Sequence, residues 1–158
     1  MSDSTEKNNT KSFSWTSCGK TDVGKARKLN EDSMLVKPEA GMWVVADGMG
    51  GHEAGDVASQ MVVNTMKEVP EGISLEKYID DIEDTLIGVN KKLIEIANQG
   101  EKPTTIGSTV VAMLAYEKFC AFIWAGDSRL YRHRNGELVQ LTTDHSQVQL
   151  YVEQGLIT

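Results

Sequence analysis

The stretch that most constrains this chain is Val44-Val45-Ala46-Asp47-Gly48-Met49-Gly50-Gly51-His52. A run of β-formers stopped by Asp-Gly reads as a buried strand that delivers one carboxylate to the lip of a sheet. The glycines at 48, 50 and 51 leave the backbone free to approach an ion or a phosphate, because no Cβ intervenes and positive φ is accessible. Taken alone, Asp47-Gly48 is equally a tight turn after a core strand. The rest of the chain decides between the two.

Around this stretch the elements follow from periodicity and turn chemistry. Ser33-Met34-Leu35-Val36 reads as a strand, Pro38 to Gly41 as a turn and Met42 to Ala46 as a second strand, a hairpin with Glu31 and Asp32 near one end. Upstream, Phe13 to Cys18 alternates as a half-buried strand would, and Lys20 to Asn30 reads as a loop. Downstream, Ala54, Ala58, Met61, Val62, Met66 and Val69 make one helical stripe that Pro70-Glu71-Gly72 stops. Ser74 caps a longer helix with Tyr78, Ile82, Leu86, Val89, Leu93 and Ile96 on one face, ended by Gly100 and Pro103. Thr105 to Tyr116 and Phe119 to Gly126 form a second hairpin, and Asn135-Gly136 marks a third between Leu130–Arg134 and Glu137–Leu141. A last helix is expected from about Gln147 to Gln154, closed by Gly155. Strands, then two helices, then strands, without βαβ alternation, predict an α+β fold of antiparallel sheets with helices packed outside.

Charge and composition narrow the function classes. Sixteen basic against twenty-three acidic side chains give a net charge of −7, which argues against general affinity for nucleic acid or an anionic membrane. The two cysteines, Cys18 and Cys120, form no Cys-x-x-Cys motif, so neither a disulfide framework nor a structural zinc site is indicated and a reducing cytoplasm is expected. Residues 1–11 read as a flexible polar tail without the apolar segment of a secretory signal. The longest apolar run, Phe119 to Ala125, is far too short to span a bilayer. At 158 residues the chain is about one domain, able to bury a core.

Four separated blocks carry a more specific signal. Arg27-Lys28-Leu29-Asn30-Glu31-Asp32, the Asp47–His52 stretch, Gly107-Ser108-Thr109-Val110 and Ala125-Gly126-Asp127-Ser128-Arg129 occur in this order. Together they resemble the metal-dependent serine/threonine protein phosphatases of the type 2C family, in their bacterial form. The resemblance implies a four-layer sandwich, two antiparallel β-sheets face to face with α-helices on both outer sides. It makes residues 12–158 an N-terminal portion of the catalytic domain, with the C-terminal part missing. Two further metal-binding aspartates of the family, in Ser-Asp-Gly and Asp-Asn segments, are not found.

The chemistry implied by the resemblance is hydrolysis of phosphoserine or phosphothreonine in proteins by a hydroxide bridging two divalent cations, Mn²⁺ or Mg²⁺, with two or three ions in a complete domain. Asp47 is then the bridging carboxylate, the Gly48 carbonyl holds one ion, and Glu31 and Asp32 position metal-bound waters. Asp127 matches the aspartate of a further ion, and Arg27 would grip the substrate phosphate bidentately. His52 is a candidate general acid or substrate contact, or else a residue of the helix entry, since in many eukaryotic members the histidine directly follows Asp-Gly, where Met49 stands here. Gly107-Ser108-Thr109 is assigned to the fold alone. Expected partners are a phosphorylated protein substrate and a cognate serine/threonine kinase, with neither nucleic acid nor membrane and a monomeric state. By itself the chain is expected to be inactive. The alternative is a non-catalytic, phosphatase-like binding or regulatory module. A dinucleotide fold would need glycine where Glu53 stands, and a cysteine phosphatase would need arginine where Gly24 and Gly126 stand.

Overall fold

The computed structural model describes residues 14–25, 27–50, 54–99 and 104–146. Strand β1 (Asp32–Lys37) passes through a short 3-10 turn at Pro38–Ala40 into β2 (Met42–Gly50). Gly41 makes this reversal with φ +60°, at a point where a Cβ would stand 2.1 Å from the Ala115 carbonyl oxygen. Helices α1 (Ala54–Lys67) and α2 (Leu75–Ala97) follow, and the Ser74 hydroxyl caps α2 by accepting the Lys77 N–H at 3.2 Å. Five strands complete the described chain: β3 (Ile106–Ser108), β4 (Val110–Tyr116), β5 (Phe119–Ala125), β6 (Tyr131–Arg134) and β7 (Glu137–Gln140).

One antiparallel sheet runs β1-β2-β4-β5, with β3 pairing the far half of β2, while β6 and β7 form a separate ribbon. Side-chain alternation sends Met42, Val44 and Ala46 of β2 and Ala112 and Leu114 of β4 to one face, where they pack on Val62, Met66, Tyr78, Ile82 and Val89 of the helices. Each such aliphatic side chain contributes roughly 1.5–3 kcal/mol on full burial, so this face holds the two layers together. Two polar ties fix the helices further. The Tyr78 hydroxyl donates to the Ala40 carbonyl at 2.8 Å inside the core, and the Lys37 ammonium donates to the carbonyls of Lys67 and Val69 at 2.9 and 3.0 Å, closing the C-terminal end of α1. The opposite sheet face is far more open. Val45 is 46% exposed and Val36 41%, and Trp43 meets Trp15 edge to face at 5.1 Å.

Both helices, the first hairpin and the Asn135-Gly136 hairpin match the sequence expectation, with φ of +54° and +83° at the two turn residues. Three expectations are corrected. Ser14 to Cys18 is exposed and irregular because no described strand pairs with it; its hold on the sheet is the Trp15–Trp43 contact and the Trp43 indole N–H to the Ser17 hydroxyl at 2.8 Å. β2 does not end at Ala46 but continues to Gly50, because β3 supplies a partner for Gly48, Met49 and Gly50. Neither Gly48 nor Gly50 uses positive φ; both are needed for close approach, since a Cβ on Gly48 would lie 1.8 Å from the Gly55 carbonyl oxygen. The expected strand from Thr105 to Tyr116 is interrupted at Thr109, which separates β3 from β4. The tail 1–11, the last helix at 147–154 and His52 lie outside the described residues.

Candidate functional site

The hairpin turn fixes the register of β1 on β2, and that register sets Asp32 directly opposite Asp47. Gly48, the next residue, donates its N–H to the Glu31 carbonyl at 3.0 Å, so the acidic pair Glu31-Asp32 is fastened to the end of β2 by main-chain bonds. Asn30 ties the preceding loop to the same place: its side-chain oxygen accepts the Asp32 N–H at 3.1 Å and its NH₂ donates to the Thr21 hydroxyl at 2.6 Å. An Asx turn, Gly24 N–H to the Asp22 carboxylate at 2.8 Å, folds the loop back again. The result is a polar cleft of about 150 Å³ lined by Asp22, Val23, Arg27, Leu29, Asn30, Glu31, Asp32 and Asp47.

Within the cleft the charges are unevenly matched. Arg27 pairs with Glu31 through one carboxylate oxygen. The other oxygen of Glu31 and the Gly48 carbonyl both face Gly55 in the first turn of α1, where an added Cβ would meet them at 2.4 and 2.9 Å. Asp47 is held above the usual carboxylate range. Partial desolvation is the largest cause, followed by the negative charges of Asp32 and Asp127, with Arg27 opposing and a side-chain hydrogen bond to Asp32 adding to the rise. Asp127 therefore belongs to the same electrostatic neighbourhood, although it comes from the loop after β5. Gly126 enters that loop at φ +101°, its carbonyl accepts the His145 N–H at 2.9 Å, and Arg129 grips Asp144 bidentately at 2.8 and 2.6 Å.

Like charges set opposite one another in a sheet are destabilising, and a bound cation would relieve this pair. The available donors are carboxylate and carbonyl oxygens, the set preferred by Mg²⁺ and Mn²⁺ rather than by softer ions. Asp47, Asp32, Asp127, Glu31 and Gly48 could hold such an ion, and Arg27 is placed beside them for an anionic oxygen. Among the described residues, however, no three carboxylates, histidines or cysteines converge tightly enough to make a metal site by themselves. Of the described histidines, His133 is exposed on β6 and His145 stacks on Trp124 at 5.7 Å, and neither lines the cleft. The sequence reading missed Asn30, Thr109 and Ser128 as supports of this site. The Asp47 N–H donates to the Thr109 hydroxyl at 3.1 Å, which in turn lies 2.6 Å from the Ser128 hydroxyl. The hydroxyl pair Ser108-Thr109, standing before an otherwise apolar strand, was the available signal.

Comparison with known proteins points the same way. The family model described as Protein phosphatase 2C matches residues 24–154. The serine/threonine phosphatase stp of Listeria innocua is 36% identical over 146 residues, covering 88% of this chain and 58% of the relative. Among solved structures, PppA, a key regulatory component of T6SS in Pseudomonas aeruginosa, superposes with a TM-score of 0.80 at 43% identity, over 85% of this chain and 58% of that one. The catalytic domain of the serine/threonine protein phosphatase PstP, in complex with two manganese ions, gives 0.75 at 34% identity over 88% and 60%. The chain thus spans somewhat under two thirds of the length of these relatives.

Proposed function

Because the chain belongs to the protein phosphatase 2C family, we propose that its cleft serves metal-dependent hydrolysis of phosphoserine and phosphothreonine in proteins. The observation that carries this reading is the placement of Asp32 opposite Asp47, with the charge of Asp127 in reach, on the rigid end of a strand pair. Asp47, the Gly48 carbonyl, Glu31, Asp32 and Asp127 would hold Mn²⁺ or Mg²⁺. Bound there, the cations supply the positive charge that offsets the phosphate oxygens and makes water a nucleophile near neutral pH. Arg27 supplies a planar fork for two phosphate oxygens once it leaves Glu31, an exchange of one anionic partner for another. Glu31 and Asp32 orient the waters around Asp47.

Lacking three convergent ligands among its described residues, the 158-residue chain alone is expected to bind Mn²⁺ weakly and to turn over little or no phosphopeptide. The free Cys18 and Cys120 fit a reducing cytoplasm, and the family reading supplies a cognate kinase as the opposing activity; no helix among the described residues is long and apolar enough to cross a membrane. The test pairs calorimetric Mn²⁺ titration of this chain with a phosphothreonine-peptide assay of it and of a form extended to the length of its relatives. Weak Mn²⁺ binding that Asp47→Asn abolishes, with turnover confined to the extended form, supports the reading. Peptide binding without Mn²⁺ binding or turnover in either form would favour a non-catalytic recognition module instead.

A further inference from the structure

A single row of residues crosses the sheet at the site. Asp32 faces Asp47 on one side. On the other, the pairings Val45 with Val111 and Gly48 with Ser108 place Thr109 opposite Asp47, and the pairing of Val110 with Ala125 places Thr109 beside Gly126. Thr109 therefore stands between the strand that carries Asp47 and the loop that carries Asp127.

Its bonding there departs from an ordinary ladder. In a hydrogen-bonded antiparallel pair the two residues exchange two main-chain bonds. Here Thr109 N–H donates to the Asp47 carbonyl at 2.8 Å, but the return bond from Asp47 N–H goes to the Thr109 hydroxyl at 3.1 Å. The carbonyl of Thr109 is taken instead by the Ser108 hydroxyl at 2.8 Å, and that same hydroxyl also reaches the Asp47 carbonyl at 3.1 Å. The Thr109 hydroxyl meets Ser128, the neighbour of Asp127, at 2.6 Å. The methyl group occupies the other side, where a Cβ on Gly126 would lie 2.7 Å from it. The short β-hydroxyl of Thr109 thus accepts from Asp47 and touches Ser128 at once.

We propose that Thr109 is a positioning residue, whose hydroxyl links the Asp47 main chain to Ser128 and so fixes the placement of the Asp47 strand end relative to the Asp127 loop for cation binding. This rests on the reading of the cleft as a cation site. The isosteric Thr109→Val removes the hydroxyl and keeps the methyl; Thr109→Ser does the reverse. Mn²⁺ affinity of the 158-residue chain is measured by calorimetry for the three proteins, with thermal melts and amide shifts recorded without metal. Loss of a group that orients metal ligands typically weakens affinity by about 10–100-fold, so Thr109→Val is expected to bind at least about tenfold more weakly while Thr109→Ser stays near wild type. Without metal, Thr109→Val should shift the amides of Asp47 and of Asp127 and Ser128 together. Equal Mn²⁺ affinity in Thr109→Val and wild type, or amide changes confined to Asp47, would overturn the proposal while leaving the cation site standing. Absence of Mn²⁺ binding in the wild type would overturn the cation reading itself, and the role of Thr109 with it.

Discussion

Replacing Asp47 with asparagine is expected to make the metal-free protein more stable while abolishing its response to Mn²⁺. Asp47 and Asp32 face each other across the β1–β2 pair, and Asp127 adds a third negative charge. A directly opposed like-charge pair costs about 0.2–1 kcal/mol, and since both carboxylates remain open to solvent we take about 0.5 kcal/mol. For a chain of this size that corresponds to a rise in Tm of roughly 1–2 °C. Asparagine keeps the shape and can still donate to Asp32. The pH dependence gives the sign. The folded protein holds the Asp47 proton more tightly than the unfolded chain, whose carboxyl keeps the ordinary value of 3.8. The penalty is therefore absent below the unfolded value and grows as pH rises through the higher folded value. Melts of both proteins in chelator across this range should start together in acid and separate toward neutrality, with the gap narrowing in high salt. Adding Mn²⁺ should then raise the wild-type Tm alone. An asparagine variant less stable than wild type at pH 7 in chelator, or a difference that ignores pH, would refute the crowding argument.

Other expectations test the supports of the site. Gly48→Ala drives a Cβ to 1.8 Å from the Gly55 carbonyl oxygen, a main-chain atom that cannot turn aside, so overpacking should cost at least about 1–3 kcal/mol and show as a Tm lower by several degrees. Tyr78→Phe leaves the buried Ala40 carbonyl without its 2.8 Å donor, an expected loss of about 1–2 kcal/mol in urea titration. The same burial pushes the Tyr78 hydroxyl up to about 12, so its phenolate should be absent from absorbance titrations at pH 10 while the fold persists. Asp144→Asn breaks the Arg129 fork that holds the Asp144 carboxyl below its usual range, and amide exchange at Leu141 and His145 should quicken at neutral pH. That difference should vanish as pH falls through the depressed wild-type value, because the wild-type carboxyl is then protonated and uncharged, as the asparagine amide is at every pH.

Local periodicity carried much of the fold into the sequence. The apolar stripes of α1 and α2, the Ser74 cap and the Asn135-Gly136 turn each act within a few residues, and each appears in the structure. What depends on a distant partner was not legible. Gly48-Met49-Gly50 has poor strand propensity and becomes strand because β3 pairs with it, whereas Ser14 to Cys18 alternates correctly yet is not in a strand among the described residues. The acids of the site were visible as residue types in the right blocks. Their grouping was expected from the hairpin and the family resemblance, but the pairing itself was not legible, because it depends on a hairpin register that sets Asp32 on Asp47 and on a β4–β5 pairing that brings in the loop of Asp127.

The same distinction explains why the hydroxyl of Thr109 escaped notice while the carboxylates did not. A carboxylate beside glycines announces chemistry by its cost, whereas a threonine before Val110-Val111 is an ordinary β-former whose meaning lies in what stands opposite. Sheet register converts that bland residue into the acceptor of Asp47 and the neighbour of Ser128. Placing Asp32 and Asp47 on paired strands rather than on free loops gives their spacing to the ladder, which resists the repulsion that would otherwise drive them apart. The repulsion retained in the metal-free fold is then available as cation affinity, since whatever neutralises Asp47 removes a penalty the backbone has not been allowed to relax. Stability without metal and affinity for metal should therefore move in opposite directions across substitutions at Asp32, Asp47 and Asp127, and a variant that lowers both must have damaged the ladder itself.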